Sequence, residues 1–349
     1  MTDSNGRNRG RIEVVEQLRG LAALSVAWFH FTNGNPRFLP EGALKWSGAH
    51  GWVGVEVFFV ISGFIIPYSM YQRGYSAAQH YFQFLAKRLV RLEPPYIACV
   101  LLSVLLAYLS SIFPGFRGEP PAYSGTQLLL HVGYLVGFSE YAWINPVFWS
   151  LAIEFQFYLA IGLLLPAIAH KQAAVRLLSL AILCASAVLP LSDRFLTSYV
   201  LVFALGILTF YFRLGWMRAG YYLGACSLLC GAVYFVNSPV TAVASLATAT
   251  SIAFVRGAGF RPLVWLGTIS YSLYLIHVPI GGRIINLGER LSTGPYVRLV
   301  FLLASLVASI VAASIYCRWL ERPSREWSSR VSYRRPRREA LVRRAENSF

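Results

Sequence analysis

Runs of about 17 to 25 apolar residues recur from one end of the chain to the other, and this feature limits the possible folds more than any other. At about 1.5 Å of rise per residue, each run is long enough as a helix to cross a hydrocarbon layer. With 56% hydrophobic and only 13% charged residues in 349, the chain lies outside the range of water-soluble domains, so the bilayer is the medium of its fold. Spanning helices are expected at 16–32, 51–70, 95–113, 147–169, 175–191, 195–212, 219–236, 240–255, 263–283 and 296–319. The fold class is therefore all-α, a polytopic bundle of about ten transmembrane helices. The segment 126–141 is apolar but short and holds two glycines, which predicts a re-entrant or interfacial helix.

The formal charge of +16 is not arranged as a nucleic-acid surface, because the arginines sit just outside the apolar runs with no interleaved aromatics. They read as topology signals. If 126–141 does not cross, one side receives Arg7, Arg9 and Arg11, then Arg73, Lys87, Arg88 and Arg91, then Lys171 and Arg176, Arg213 and Arg218, Arg256 and Arg261, and finally the tail. That side is expected to be the cytoplasm, with both termini there. No small-residue cleavage site follows the first run, so it is expected to stay as a helix. Residues 1–323 read as one transmembrane domain and 324–349 as a basic cytoplasmic tail against anionic lipid, with Pro323 and Pro336 expected to break any long helix. The five cysteines form no metal-ligand pattern and read as packing.

Ionisable groups inside spans require a reason. Arg19 and His30 in the first span are eleven residues apart, so they share one helix face at a separation of roughly 16 Å. Taken alone, the pair also fits an arginine snorkelling to one interface and a histidine capping the other end. The second span runs Gly54-Val55-Glu56-Val57-Phe58-Phe59-Val60-Ile61-Ser62-Gly63-Phe64, with a carboxylate that needs a partner and glycines suited to close helix contact. Arg88 and Arg91 stand one turn apart in a stretch read as cytoplasmic, 84–96, and suit either phosphates or topology anchoring. Glu154 sits in an apolar span with Ser150 and Tyr158 on its face, placed to orient a histidine or to pair with an arginine. Ser270, Tyr274 and His277 form one stripe at i, i+4 and i+7, suited to a hydroxyl-rich cavity or to a helix contact.

Together these segments resemble the acyltransferase-3 family of membrane acyltransferases from residue 16 to about residue 323. The resemblance is carried by Arg-x10-His (Arg19, His30), Gly-Val-Glu-x-Phe-Phe-x-x-Ser-Gly-Phe (Gly54 to Phe64) and Arg-x-x-Arg-x-x-Pro (Arg88 to Pro94). Trp-Ser-Leu-x-x-Glu (Trp149 to Glu154), Ser-Tyr-Ser-x-Tyr-Leu-x-His (Ser270 to His277) and Glu-Arg-Pro (Glu321 to Pro323) complete it. It implies an O-acyltransferase, most often an O-acetyltransferase, with no permanently bound cofactor and no metal. Its donor is acetyl-CoA or another acyl-CoA held by Arg88 and Arg91, and its acceptor is a surface glycan or lipid-linked saccharide such as lipopolysaccharide or exopolysaccharide. His30 is expected either to remove the acceptor's proton or to carry the acyl group itself. Glu154 is expected to orient or charge-balance it, and Arg19 to hold the donor or stabilise developing charge. Glu56, Ser62, Ser150, Ser270, Tyr274 and His277 are expected to line the acceptor side or the cavity. The chain departs from the family at Glu93-Pro94-Pro95-Tyr96, a more proline-rich loop end, and a stand-alone form without an SGNH-type domain in the bacterial plasma membrane is expected. The competing class is a transporter or a flippase for lipid-linked saccharides.

Overall fold

The structure is a computed structural model that describes residues 4–113, 119–257, 259–291 and 294–331, with side chains described from Glu13 onward. Among the described residues every regular element is helical. The α-helices of eight residues or more are, in chain order, α1 (Ser4–Asn33), α2 (Gly54–Gln72), α3 (Ala77–Ser111), α4 (Gly125–Val132), α5 (Phe148–Ile168), α6 (Ala173–Ala185), α7 (Val200–Arg213), α8 (Ala219–Val236), α9 (Pro239–Phe254), α10 (Arg261–Thr268), α11 (Ser270–His277), α12 (Arg283–Leu291), α13 (Pro295–Tyr316) and α14 (Arg322–Arg330). All ten expected spans are helical over most of their length. Length and apolarity alone qualify five helical stretches to cross a membrane, or six if the bent pair Arg261–Thr268 and Ser270–Leu291 counts as one. Val200–Arg213 and Pro239–Phe254 are apolar but short, and 14 residues cover only about 21 Å. At eight residues α4 covers about 12 Å, too little to cross, and a 3-10 turn at Val136–Phe138 follows it.

Two crossings of bare backbone hold the centre together. At the α2–α7 crossing, a Cβ on Gly206 would stand 2.2 Å from the Val60 carbonyl oxygen and 2.7 Å from Gly63 backbone atoms. At the α1–α10 crossing, a Cβ on Gly267 would stand 2.0 Å from the Glu16 carbonyl oxygen. Only glycine permits such an approach, and close backbone packing is the main attraction between helices where lipid is as apolar as leucine. Beside the first crossing, Phe203 of α7 stacks on Phe59 of α2 at 4.7 Å and on Phe157 of α5 at 4.2 Å. These ring pairs fix α5 against the same seam.

Three expectations about breaks are corrected. The stretch 84–96 is not a loop: α3 runs unbroken through Pro94 and Pro95 for 35 residues. Neighbouring helices hold this stretch in place, with Tyr271 Oη of α11 donating to Leu92 O at 2.9 Å and Tyr316 Oη of α13 to Pro95 O. Pro323 does not end the last helix, because it falls at the start of α14 just after a π turn at Cys317–Glu321, and helix continues from Pro295 to Arg330. The start of the expected tail is therefore helix, packed along α3 with Ser328 Oγ donating to Lys87 O at 3.0 Å. Pro336 and the rest of that tail lie outside the described residues. The expected span 263–283 is not straight; it bends by 66° at Thr268–Ile269.

A second π turn, at Val278–Gly282, follows α11. Pro279 has no N–H for the Leu275 carbonyl four residues back. That carbonyl accepts instead from Asn145 Nδ2 at 3.1 Å and Cys99 Sγ at 3.2 Å. Arg19, Arg73, Lys87, Arg88, Arg91 and Arg325 lie near one another and make one end basic. There Glu13 and Gln17 accept from the Gly259 and Phe260 N–H groups, and Arg213 donates to Ala253 O at 2.9 Å.

Candidate active site

A cavity of about 700 Å³ follows α2 from Val55 to Gln72, some 25 Å at about 1.5 Å per residue. Its walls come from α1, α2, α3, α5, α7 and α11, together with Glu321 from the π turn before α14. Toward the basic end it meets Arg19, Arg88, Arg91 and Arg213, and toward the opposite end Phe58, Ser150 and Tyr274. Four guanidinium groups on one cavity would repel one another in an empty apolar chamber, so the arrangement calls for anions. The carboxylates in the wall are Glu16, Glu154 and Glu321. Glu321 is already engaged, accepting from Ser272 Oγ at 2.5 Å, from the Ser272 N–H at 3.2 Å and from Arg325. Glu154 accepts from Ser62 Oγ at 2.5 Å, joining α5 to α2 beside the glycine crossing.

Arg88 and Arg91 have no carboxylate partner among the described residues. The Arg88 guanidinium lies 5.4 Å from the Tyr158 ring centroid and 5.5 Å from that of Phe84, which holds its plane while its N–H groups stay available. Arg19 donates from Nε to Ser270 Oγ at 3.2 Å, and its contact to Glu16 is long, at 4.0 Å. At the far end Ser150 Oγ and Tyr274 Oη are 2.5 Å apart. The Phe58 ring meets the Tyr274 ring edge-on at 5.7 Å.

His30 lies beyond this wall. Its Nδ1 is 2.9 Å from Val26 O and 3.2 Å from Nε2 of His277. The His277 ring is 6.1 Å from that of Tyr274, so the two imidazoles sit behind the residue that bounds the cavity. Glu56 is buried near the start of α2, and among the described residues its Oε2 has no hydrogen-bond partner to meet the need read from sequence.

The motif residues thus divide into two groups. Arg19, Ser62, Arg88, Arg91, Ser150, Glu154 and Tyr274 share the cavity, whereas His30, Glu56, Ser270 and His277 do not line it. Glu154, expected to orient or charge-balance His30, bonds Ser62, and the side chain that meets His30 is His277. Sequence reasoning passed over Arg213, which looks like any topology arginine. It also passed over Asn145, a buried amide whose partner is the carbonyl that Pro279 leaves without its helical N–H, a need that Pro279 itself advertised.

A family model described as an acyltransferase domain matches residues 12–318. BcsY of Komagataeibacter xylinus, described as a membrane-bound transacylase, is 32% identical over 180 residues, covering 47% of this chain and 40% of that protein. The O-acetyltransferase OatA of Staphylococcus aureus is 24% identical over 369 positions, covering 89% of this chain and 57% of OatA. YrhL of Bacillus subtilis, described as a peptidoglycan O-acetyltransferase, is 26% identical over 320 positions, covering 76% of this chain and 48% of YrhL. The chain therefore spans about half the length of these relatives. No solved structure matches.

Proposed function

The chain belongs to the acyltransferase-3 family, an acyl-transferring enzyme built into a membrane, and from that premise we propose that it moves an acetyl group from cytosolic acetyl-CoA to a hydroxyl of an extracytoplasmic glycan. The observation that carries this reading is the cavity with two unpaired guanidinium groups, Arg88 and Arg91, near one end and hydroxyls at the other. Its volume lies within the range of cofactor-sized sites. Its 25 Å length suits a long donor with phosphates at the head and a thioester at the tip. In this reading the basic end faces the cytoplasm, both termini lie there, and α1 and the short apolar helices complete ten crossings of the bacterial plasma membrane.

The phosphates of the donor bind Arg88, Arg91 and Arg213, and Arg19 stands deeper along the arm. The Ser150–Tyr274 hydrogen bond opens to let the thioester pass Tyr274 and reach His30. The neutral imidazole takes the acceptor's hydroxyl proton as that oxygen attacks the thioester carbonyl. Collapse of the tetrahedral intermediate breaks the C–S bond, and the imidazolium returns the proton to the departing thiolate. The products are an acetyl ester and coenzyme A. Glu154, held by Ser62, balances the arginines instead of serving the histidine. YrhL is described as a peptidoglycan O-acetyltransferase, so a hydroxyl of peptidoglycan or of another surface polysaccharide is the acceptor class in this reading.

The test is release of free thiol from acetyl-CoA by the purified protein in lipid discs, with acetyl ester appearing on added bacterial saccharide. His30→Ala at equal membrane abundance should lower turnover by roughly 10² to 10⁴ while coenzyme A still binds. Near wild-type turnover in that variant would remove His30 from the chemistry.

A further inference from the structure

We propose that His277 is a positioning residue for His30: its Nε2 accepts a hydrogen bond from the Nδ1–H of His30 and leaves His30 Nε2 as the one basic nitrogen open to an acceptor hydroxyl. The inference rests on the reading of His30 as the base. Its grounds are the partners of the two rings. A carbonyl oxygen only accepts, so Val26 O at 2.9 Å requires the proton of His30 on Nδ1. By the same argument Leu273 O at 3.1 Å requires the proton of His277 on its Nδ1. Neutral His277 then has a lone pair at Nε2, and that atom stands 3.2 Å from His30 Nδ1. One N–H of His30 is thus shared between a carbonyl and an imidazole, and no other protonation of two neutral rings satisfies all three contacts.

Both nitrogens of His277 are engaged and the ring is fully buried, so it meets neither donor nor acceptor itself. The surrounding rings are apolar on the remaining sides, with Phe31 6.1 Å from His277 and Phe29 5.2 Å from His30. The helix turn that carries His277 is also unusually well held. It ends in the π turn at Val278–Gly282, and the Leu275 carbonyl two residues before it is fixed by Asn145 and Cys99. Single π turns inside α-helices are frequent at functional sites. When His30 takes the hydroxyl proton on Nε2 it becomes a cation, and the Nδ1–H bond to His277 becomes charge-assisted and stronger. The interaction therefore grows toward the transition state, which is the condition for an effect on kcat. An aspartate fills the equivalent place in the serine hydrolase triad; here a neutral imidazole fixes the tautomer without adding a second buried charge.

The experiment compares His277→Gln, His277→Asn and His277→Leu in the full-length protein at equal membrane abundance, reading kcat and KM for acetyl-CoA. Glutamine reaches with its amide oxygen to the place of Nε2; asparagine reaches only to the place of Nδ1. The proposal expects the glutamine variant within about tenfold of wild type and the asparagine and leucine variants about 10²-fold down in kcat, with KM changed less than about threefold. Should the leucine variant fail to accumulate, the glutamine–asparagine contrast decides. Equal activity of those two, or wild-type kcat in the asparagine variant, overturns the pairing. His30→Ala separates the two readings. If it is inactive while His277→Asn is normal, His30 remains the base and only the pairing falls; if it is active, both fall. The double variant His30→Ala/His277→Asn should be no slower than His30→Ala, because His277 acts only through its partner.

Discussion

Replacing Arg88 and Arg91 together with glutamine removes two full charges from the cavity wall while keeping most of the side-chain volume. Neither arginine is paired with a carboxylate among the described residues, so the change strands no buried anion. The structural cost is limited to the Arg88 stack on Tyr158 and Phe84, about 0.5 to 1 kcal/mol. Each guanidinium–phosphate contact is worth about 1.5 to 3 kcal/mol, and every 1.4 kcal/mol is tenfold in affinity. Simple addition gives roughly 10² to 10⁴, but the two residues lie one turn apart on one ligand, so their losses overlap and the lower decade is expected. Calorimetric titration of the purified variant with coenzyme A should thus show Kd raised about 10²-fold. Acetyl-pantetheine, which carries the thioester but no phosphate, should be turned over equally by wild type and variant. A Kd within threefold of wild type, or equal loss of activity on acetyl-pantetheine, would refute the assignment of these arginines to donor phosphates.

Two further outcomes follow from local geometry. His131, between α4 and the loop before α5, gives its Nδ1 proton to Gln127 O at 2.8 Å and accepts the Ile144 N–H at Nε2 at 3.1 Å, and burial lowers its pKa from 6.5. Folding of 125–145 therefore has its full His131 contribution above about pH 6.5 and loses it as the pH falls, because the unfolded segment binds a proton that the folded one refuses. Proteolytic nicking of this segment should rise between pH 7.5 and pH 5 in wild type, and a flat profile would contradict the tautomer drawn here. Gly206→Ala should cost about 1 to 3 kcal/mol of thermal stability and impair activity, because its methyl meets Val60 and Gly63 backbone; Gly224→Ala, with nothing within 4 Å, should be neutral or stabilising, and equal melting temperatures in detergent would dismiss the crossing as a determinant.

Much of the architecture was legible because lipid imposes a simple rule: long apolar runs become helices, and charges inside them have work to do. Helical periodicity put Ser150 and Glu154 on one face, and both line the cavity. What periodicity cannot encode is which helix lies beside which. The Ser62–Glu154 bond joins residues 92 apart, and the His30–His277 contact joins residues 247 apart. Sequence therefore could not name Ser62 as the side chain that Glu154 bonds, although a polar role for a carboxylate inside that apolar helix was legible. Pro94, Pro95 and Pro323 misled for a different reason: an interior proline costs a helix one hydrogen bond, and neighbouring helices can hold the chain helical through it, as α11 and α13 do where Tyr271 donates to Leu92 O and Tyr316 to Pro95 O. Arg213 was invisible as a site residue because a phosphate ligand and a positive-inside anchor are the same side chain at the same depth.

The π turn at Val278–Gly282 holds one residue more than an α-helical turn would, so in genetic terms it is an insertion that the fold has kept. Excising a single codon there would close the wide turn into an α-helical one, and the loss would be absorbed inside the turn. Arg283, which donates to Ser110, and Asn286, which accepts from Asn35 at 2.9 Å, would keep their facing. The same excision one element later, at Ile284 within regular helix, would turn Asn286 by about 100° away from Asn35.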